Sequence, residues 1–200
     1  MKIRSLKFSR FALVVLAAGL AVGATPLLAA DTGLYFNTDL GANFMSDIKL
    51  NNNNGGGKVS MDAGLRWDLA LGYAFKVADQ VTVGPEIETG LLYNSVKAPS
   101  TADLYQVPVL GNLVLNWHLN PKWDMYFGGG AGADSWFVEN SGGNVHDNTD
   151  FAWDAQGGIR YNLNSHNAIG LGYKYLGFKP NFAATPVGNH AIFASYTLSF

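Results

Sequence analysis

From Met61 to Phe75 the chain reads MDAGLRWDLALGYAF, and its odd and even positions differ in kind. Ala63, Leu65, Trp67, Leu69, Leu71, Tyr73 and Phe75 form an apolar, aromatic-rich set. Asp62, Gly64, Arg66, Asp68, Ala70, Gly72 and Ala74 form a set of charged and small residues. A period of two is the period of a strand, whereas a helix would scatter both sets around its circumference. One face of this segment therefore needs an apolar surrounding, which is either a protein core or a lipid bilayer.

The same alternation recurs along the chain. It predicts strands over 34–44, 61–75, 81–93, 104–119, 125–138, 151–163, 168–176 and 190–200, eight in all. Between them, long polar connections (Met45–Ser60, Asn94–Asp103, Glu139–Asp150 and Gly177–Asn189) alternate with short turns. Pro85 and Pro108 fall inside strands, where each removes a ladder donor, so a bulge or a strand end is expected near each. Phe193 falls on the polar side of the last strand. The NNNNGGGK run is a polar loop and not a phosphate-binding loop, because Val59 stands where a serine or threonine must follow the lysine.

Charge by face decides the surrounding. The apolar faces of the eight strands carry no charge, while the opposite faces carry Asp39, Asp62, Arg66, Asp68, Glu86, Glu88, Asp134, Asp154, Arg160 and Lys174. A charge facing lipid at mid-bilayer costs about 2–4 kcal/mol for Arg or Lys, which selects for such a face. A sheet in hydrocarbon must also close, because an open edge leaves backbone groups unpaired. The fold expected is all-β: an eight-stranded antiparallel up-and-down transmembrane β-barrel, apolar outside and polar inside, with short turns at one end and longer loops at the other. A soluble β-sandwich is the competing architecture, and the facial charge count disfavours it.

The N-terminus is set apart from this pattern. Lys2, Arg4, Lys7 and Arg10 precede an apolar run from Phe11 to Val22, and small residues lead up to Asp31. That is the layout of a secretory signal peptide, with cleavage expected after Ala30 and residues 31–200 forming the barrel domain. Removing the leader leaves nine Lys and Arg against fifteen Asp and Glu, a balance that argues against nucleic acid as a partner. Cysteine is absent, so neither a lipidation site nor a disulfide framework is expected.

Four segments resemble the small outer-membrane β-barrel family of OmpA-like, OmpX-like and opacity proteins of Gram-negative bacteria. They are YFGGGAG at 126–132, VPVLGNL at 107–113, GLGYKYL at 170–176 and the closing SYTLSF. The resemblance implies an outer-membrane location, periplasmic turns and extracellular loops. It implies contact with outer-membrane lipid and lipopolysaccharide, and passage through the outer-membrane assembly machinery. The alternating Tyr196, Leu198 and Phe200 at the C-terminus resemble the signal that machinery reads. No peptidoglycan-binding domain follows Phe200 in this sequence, unlike full-length OmpA.

A barrel of eight strands is only wide enough to be filled by side chains. Arg66, Arg160 and Lys174 are expected to meet Asp68, Glu86, Glu88 and Asp154 inside it, with Arg66 near Glu88 or Gly90. Such an interior is a plug of paired charge, or alternatively a narrow gated path for ions. Lipid A-modifying enzymes are barrels of this size and need His with Ser or Asp near the outer leaflet. Here His166 lies beside Ser165 in a short turn, His118 at a periplasmic strand end, His146 beside Asp147 in a loop, and His190 at the outer rim. None forms an evident constellation, so no catalytic residue, metal site or cofactor is expected. The expected role is a structural or surface-interaction one, adhesion or envelope integrity, with loops available to an extracellular ligand. A small porin-like channel is the alternative.

Overall fold

Every stretch with a two-residue period becomes a strand. The computed structural model describes residues 32–51, 56–97, 102–140, 145–180 and 183–200, with the backbone alone at 140, 145 and 146. The leader reading of Met1–Ala30 and the tips of the four long loops lie outside the described residues. The strands are β1 (Gly33–Met45), β2 (Ile48–Lys49), β3 (Lys58–Val59), β4 (Gly64–Ala78), β5 (Val81–Ser95), β6 (Ala102–Asn120), β7 (Trp123–Asn140), β8 (Val145–Asn162), β9 (Asn167–Phe178) and β10 (Val187–Ser199).

The eight long strands close into an antiparallel barrel in the order β1-β10-β9-β8-β7-β6-β5-β4. Closure comes from β1 meeting β10, with Phe36 opposite Leu198 and Leu40 opposite Ala194. The Phe200 N–H adds a last bond to the Leu34 carbonyl. No ladder of the barrel is left open to hydrocarbon, as a lipid-embedded sheet requires. β2 and β3 form a separate two-stranded sheet inside the first long loop. That loop is tied to its neighbours through Leu50 opposite Ala183 and Met61 opposite Val96.

Strand ends depart from the pattern in two instructive places. The segment expected as a polar loop at Glu139–Asp150 is mostly strand, because β7 runs to Asn140 and β8 starts at Val145. Their ladder continues through Trp136 opposite Asn148 and Ser135 opposite Thr149. Backbone pairing persists there while the side chains turn polar. At the start of β4 the strand begins at Gly64 and not at Met61. The register there slips by one residue, which turns Met61 inward and leaves Asp62 exposed outside the barrel.

The prolines do not cause bulges. Pro85 pairs with Leu113, and the β4–β5 register is the same on either side of it, from Gly72 opposite Glu86 to Phe75 opposite Val83. Pro108 pairs with Asp134 in an unbroken β6–β7 ladder. Each ring removes ladder bonds on one side only, so the offset survives. Apart from the slip before β4, the irregularities among these ladders lie at the short-turn ends, between Lys76 and Ala78 and between His118 and Asn120.

The facing follows the sequence. Leu40, Leu65, Ile87, Leu113, Phe151, Leu171 and Ile192 stand outward, each 60–69 % exposed. Aromatic pairs mark both rims: Tyr73 with Phe75 and Trp123 with Tyr161 toward the short turns, Tyr93 with Tyr105 and Trp153 with Tyr175 toward the loops. Amphipathic rings at two levels flanking an aliphatic band are the outer dress of a membrane barrel.

Candidate functional site: the barrel interior

The inward positions fill the lumen in layers. Nearest the long loops is an apolar cap. Leu92, Leu104, Leu110, Trp136, Ala152 and Leu176 enter it from the strands, and Met45, Ile48, Met61, Phe178, Ala183 and Val187 from the loop ends. Leu92, Ala152 and Leu176 are fully buried. Within the loop above, Lys58 Nζ lies 2.6 Å from Asp47 Oδ2. Hydrogen bonds from Lys58 and then Ser60 hold that exposed carboxyl below its ordinary range.

Beneath the cap runs a chain of amides. Asn43 Nδ2 donates to Asn94 Oδ1 (2.6 Å) and Asn189 Oδ1 (3.2 Å). Asn189 Nδ2 donates to Gln106 Oε1 (2.8 Å), and Gln106 Nε2 donates to Asp134 Oδ2 (2.5 Å). Each amide offers both donor and acceptor, so a chain of them can cross the lumen from Asn94 to Asp134.

The charged centre comes next. Arg66 enters from the loop end of β4, and its Nε donates to Asp68 Oδ2 at 2.5 Å while a terminal nitrogen reaches Glu88 Oε1 at 3.2 Å. Lys174 crosses from β9, donating to Glu88 Oε1 (2.7 Å), Asp68 Oδ2 (3.2 Å) and Asp39 Oδ2 (3.5 Å). Asn112 Nδ2 donates to the second oxygen of Glu88 (3.1 Å), and Asn37 Nδ2 to Asp39 (2.6 Å). By register Arg66 sits opposite Leu92 with Gly90 as its diagonal neighbour, while Glu88 sits opposite Ala70, two inward positions further down β5 than Leu92. The long arginine reaches past Gly90 and meets Glu88.

The other charges take separate places. Glu86 accepts from Tyr35 Oη (3.0 Å) and Gln156 Nε2 (3.3 Å), so it is not a partner of Arg66. Arg160 lies 4.0 Å from the centre of the Tyr126 ring and donates to Asn116 Oδ1 at 2.7 Å. Asp154 is buried on β8 and has no ion pair within 4.0 Å among the described residues. Tyr126, Val114 and Phe193 pack together as a second apolar cluster, with the Lys174 ammonium 5.4 Å from the Phe193 ring. Gly172 leaves room for it: a Cβ there would lie 2.3 Å from the Tyr126 hydroxyl.

Periodicity assigned the inward facing of Asp39 and the other charged residues except Asp62, which is exposed, but the role of Asp39 as a partner of Lys174, the amide chain and the apolar cap were not in the expected interior network. A signal for the cap did exist. Leu92, Leu104, Leu110, Val114 and Trp136 are apolar residues on the polar side of their strands, like Phe193. The histidines do not converge. His118 Nδ1 lies 2.9 Å from Asp124 Oδ1 at the short-turn end, and His166 Nδ1 lies 2.9 Å from Ser165 Oγ in the turn itself. His190 Nδ1 is 2.6 Å from the Tyr173 hydroxyl on the outer surface. The side chain of His146 lies outside the description.

A closed eight-stranded barrel with an aliphatic belt, aromatic rims and a packed polar lumen defines a class, the small outer-membrane barrels. Residues 12–200 match the family model described as outer membrane protein beta-barrel domain, and the chain belongs to that family. Solved structures agree in fold. Neisserial surface protein A superposes with a TM-score of 0.63 at 15 % identity, over 84 % of this chain and 97 % of its own. OprG from Pseudomonas aeruginosa gives 0.51 at 17 % identity, over 88 % and 99 %. The outer membrane enzyme PagL gives 0.50 at 11 %, over 83 % and 99 %. The fold is therefore shared by surface proteins and by an enzyme, and does not by itself assign a role. A comparison with curated proteins finds no match.

Proposed function

We propose that this protein is a closed outer-membrane barrel that does not conduct and that acts at the cell surface, through adhesion or envelope integrity. The observation carrying this reading is the apolar cap, which lays leucines and Trp136 across the loop-side mouth of the lumen. Ions crossing that layer would lose their hydration without gaining a polar partner. The charged centre beneath it supports the same reading, because its ion pairs span the lumen from β4 and β5 to β9. The wall then serves as a rigid mount for the loops, whose polar tips are available to an extracellular ligand. Lipopolysaccharide would meet the outward belt, and Tyr196, Leu198 and Phe200 would present the chain for assembly. No enzymatic role is proposed, since His118 and His166 both lie at the periplasmic end on this orientation.

Refolded protein in a planar bilayer tests the reading. Silence at membrane potentials of either sign is the expected result. Steady, discrete conductance steps would favour the alternative, a small porin-like channel.

A further inference from the structure

Beyond the closed part of the barrel, on the loop side, one strand edge is left open. β8 begins at Val145, but its ladder with β9 begins only where Ala152 faces Phe178. From Val145 to Asp150 the strand is paired on the β7 side, from Glu139 opposite Val145 to Asp134 opposite Asp150. Among the described residues no backbone hydrogen bond reaches its other side. At about 3.3 Å per residue this is roughly 20 Å of edge, along which alternate residues turn an N–H and a C=O away from β7. The edge is held in shape from behind. Ser135 Oγ lies 2.9 Å from Thr149 Oγ1 on the outer side, and Trp136 Nε1 donates to Asp150 Oδ2 at 2.7 Å on the inner side.

An open edge is a template for another chain, and proteins ordinarily blunt one with lysine, proline, a bulge or a very short length. This edge has no lysine or proline between Val145 and Asp150, and its register with β7 is unbroken. Its formal charges are of one sign. Asp147 and Asp150 lie on the strand itself, and Glu139 is diagonal to Asp147 and directly opposite Asp103 on β6. None of these four carboxylates has a salt bridge among the described residues. Like charges facing across a ladder repel, and a second copy of the same edge would add to the repulsion. A strand carrying positive charge would relieve it.

We propose that the open edge of β8 from Val145 to Asp150 binds an extended, cationic peptide segment of another protein, which joins the sheet as an added strand. The segment's backbone takes up the N–H and C=O groups that β8 leaves unpaired, which supplies affinity without regard to side chains. Its alternate lysines or arginines fall on the face of Asp147, with Glu139 behind it. Phe151 stands 69 % exposed at the foot of the edge and gives an apolar side chain of the segment a neighbour. The inference rests on the surface-interaction reading, to which it adds a place and a class of partner.

The test uses the refolded full barrel in neutral detergent and a short synthetic peptide in which lysine alternates with threonine and valine. Saturable binding is expected, with new amide hydrogen-exchange protection at alternate residues between Val145 and Asp150. Asp147→Lys should weaken that binding about fivefold, the scale of an exposed ion pair lost and replaced by repulsion. Two further peptides carry N-methyl groups on every second amide, one in each phase. An added strand turns only one set of its N–H groups toward β8, so one phase should abolish binding and the other should leave it intact. No saturable binding, or binding indifferent to both methylated phases, would overturn the proposal in favour of loose electrostatic adherence. Protection confined to β2 and β3 would overturn the assignment to this edge, and so would barrels that pair through it with one another when sedimented without peptide. Should Asp147→Lys not fold, the methylated peptides on the native barrel decide alone. Conductance keeps the two readings apart: a silent barrel that binds no peptide overturns the edge alone, while a conducting barrel that binds it overturns closure and supports the edge.

Discussion

Lys174→Met should destabilise the folded barrel by about 3–5 kcal/mol, the usual cost of removing one partner from a buried ion pair. Lys174 is fully buried and supplies one ammonium to three carboxylates, those of Glu88, Asp68 and Asp39. Methionine fills most of the volume beside Phe193 but leaves those carboxylates facing one another. Arg66 offsets part of the loss, since it also contacts Asp68 and Glu88. Asp39 has no such second cation: among the described residues its only salt bridge is to Lys174. Adding Glu88→Gln should recover a substantial part of the stability, because it removes one orphan charge while keeping the Asn112 contact geometrically feasible. In a hydrated channel the same carboxylates would stay solvated, Lys174→Met would cost little, and bilayer current would change. Urea midpoints and current measured on the same refolded sample separate these outcomes.

A second large effect is expected on the outer surface. Leu69→Arg should cost about 2–4 kcal/mol if the residue lies near mid-bilayer, and less toward an interface. Leu69 stands in an outward row between Thr38 and Thr89. Its neighbour Ala70 is buried on the inward side, between Asn37 and Glu88. Ala70→Ser should therefore be tolerated, since a hydroxyl there has polar groups beside it. Folding yields into vesicles read both variants. A tolerated Leu69→Arg with a disruptive Ala70→Ser would place the wrong face in lipid.

Most of the wall was legible in the sequence because a closed barrel ties each residue's facing to its parity. Leu65, Trp67 and Leu71 point outward and Arg66, Asp68 and Ala70 inward from one unbroken alternation. Parity fails where register slips. Met61 belongs by count to the outward series, yet a one-residue shift before β4 folds it into the cap. Strand ends beyond the membrane were also harder to read, because polar side chains at Asp147–Asp150 conceal a backbone ladder that continues.

The interior was legible in composition more than in pairing. Periodicity placed Arg66, Glu86, Glu88 and Lys174 inside, but pairing depends on side-chain reach around a curved wall. Glu88 lies 86 residues from Lys174 and still makes its shortest ion pair, while Glu86 turns to Tyr35 instead. The cap went unread because leucines at inward positions look like noise in an alternation until their common level near the loops is known.

The arrangement as a whole rests on an apolar exterior in lipid and a filled interior shut off from it, and the tryptophans report on both. Trp67, Trp117, Trp123 and Trp153 are 42–45 % exposed on the outer surface, and Trp136 is 3 % exposed inside the cap. Single-tryptophan barrels refolded into vesicles containing brominated lipids measure which rings touch acyl chains. Quenching of all four outward tryptophans with Trp136 left bright is the result expected. Strong lipid quenching of Trp136, or an outward set that lipid bromine does not reach, would contradict it.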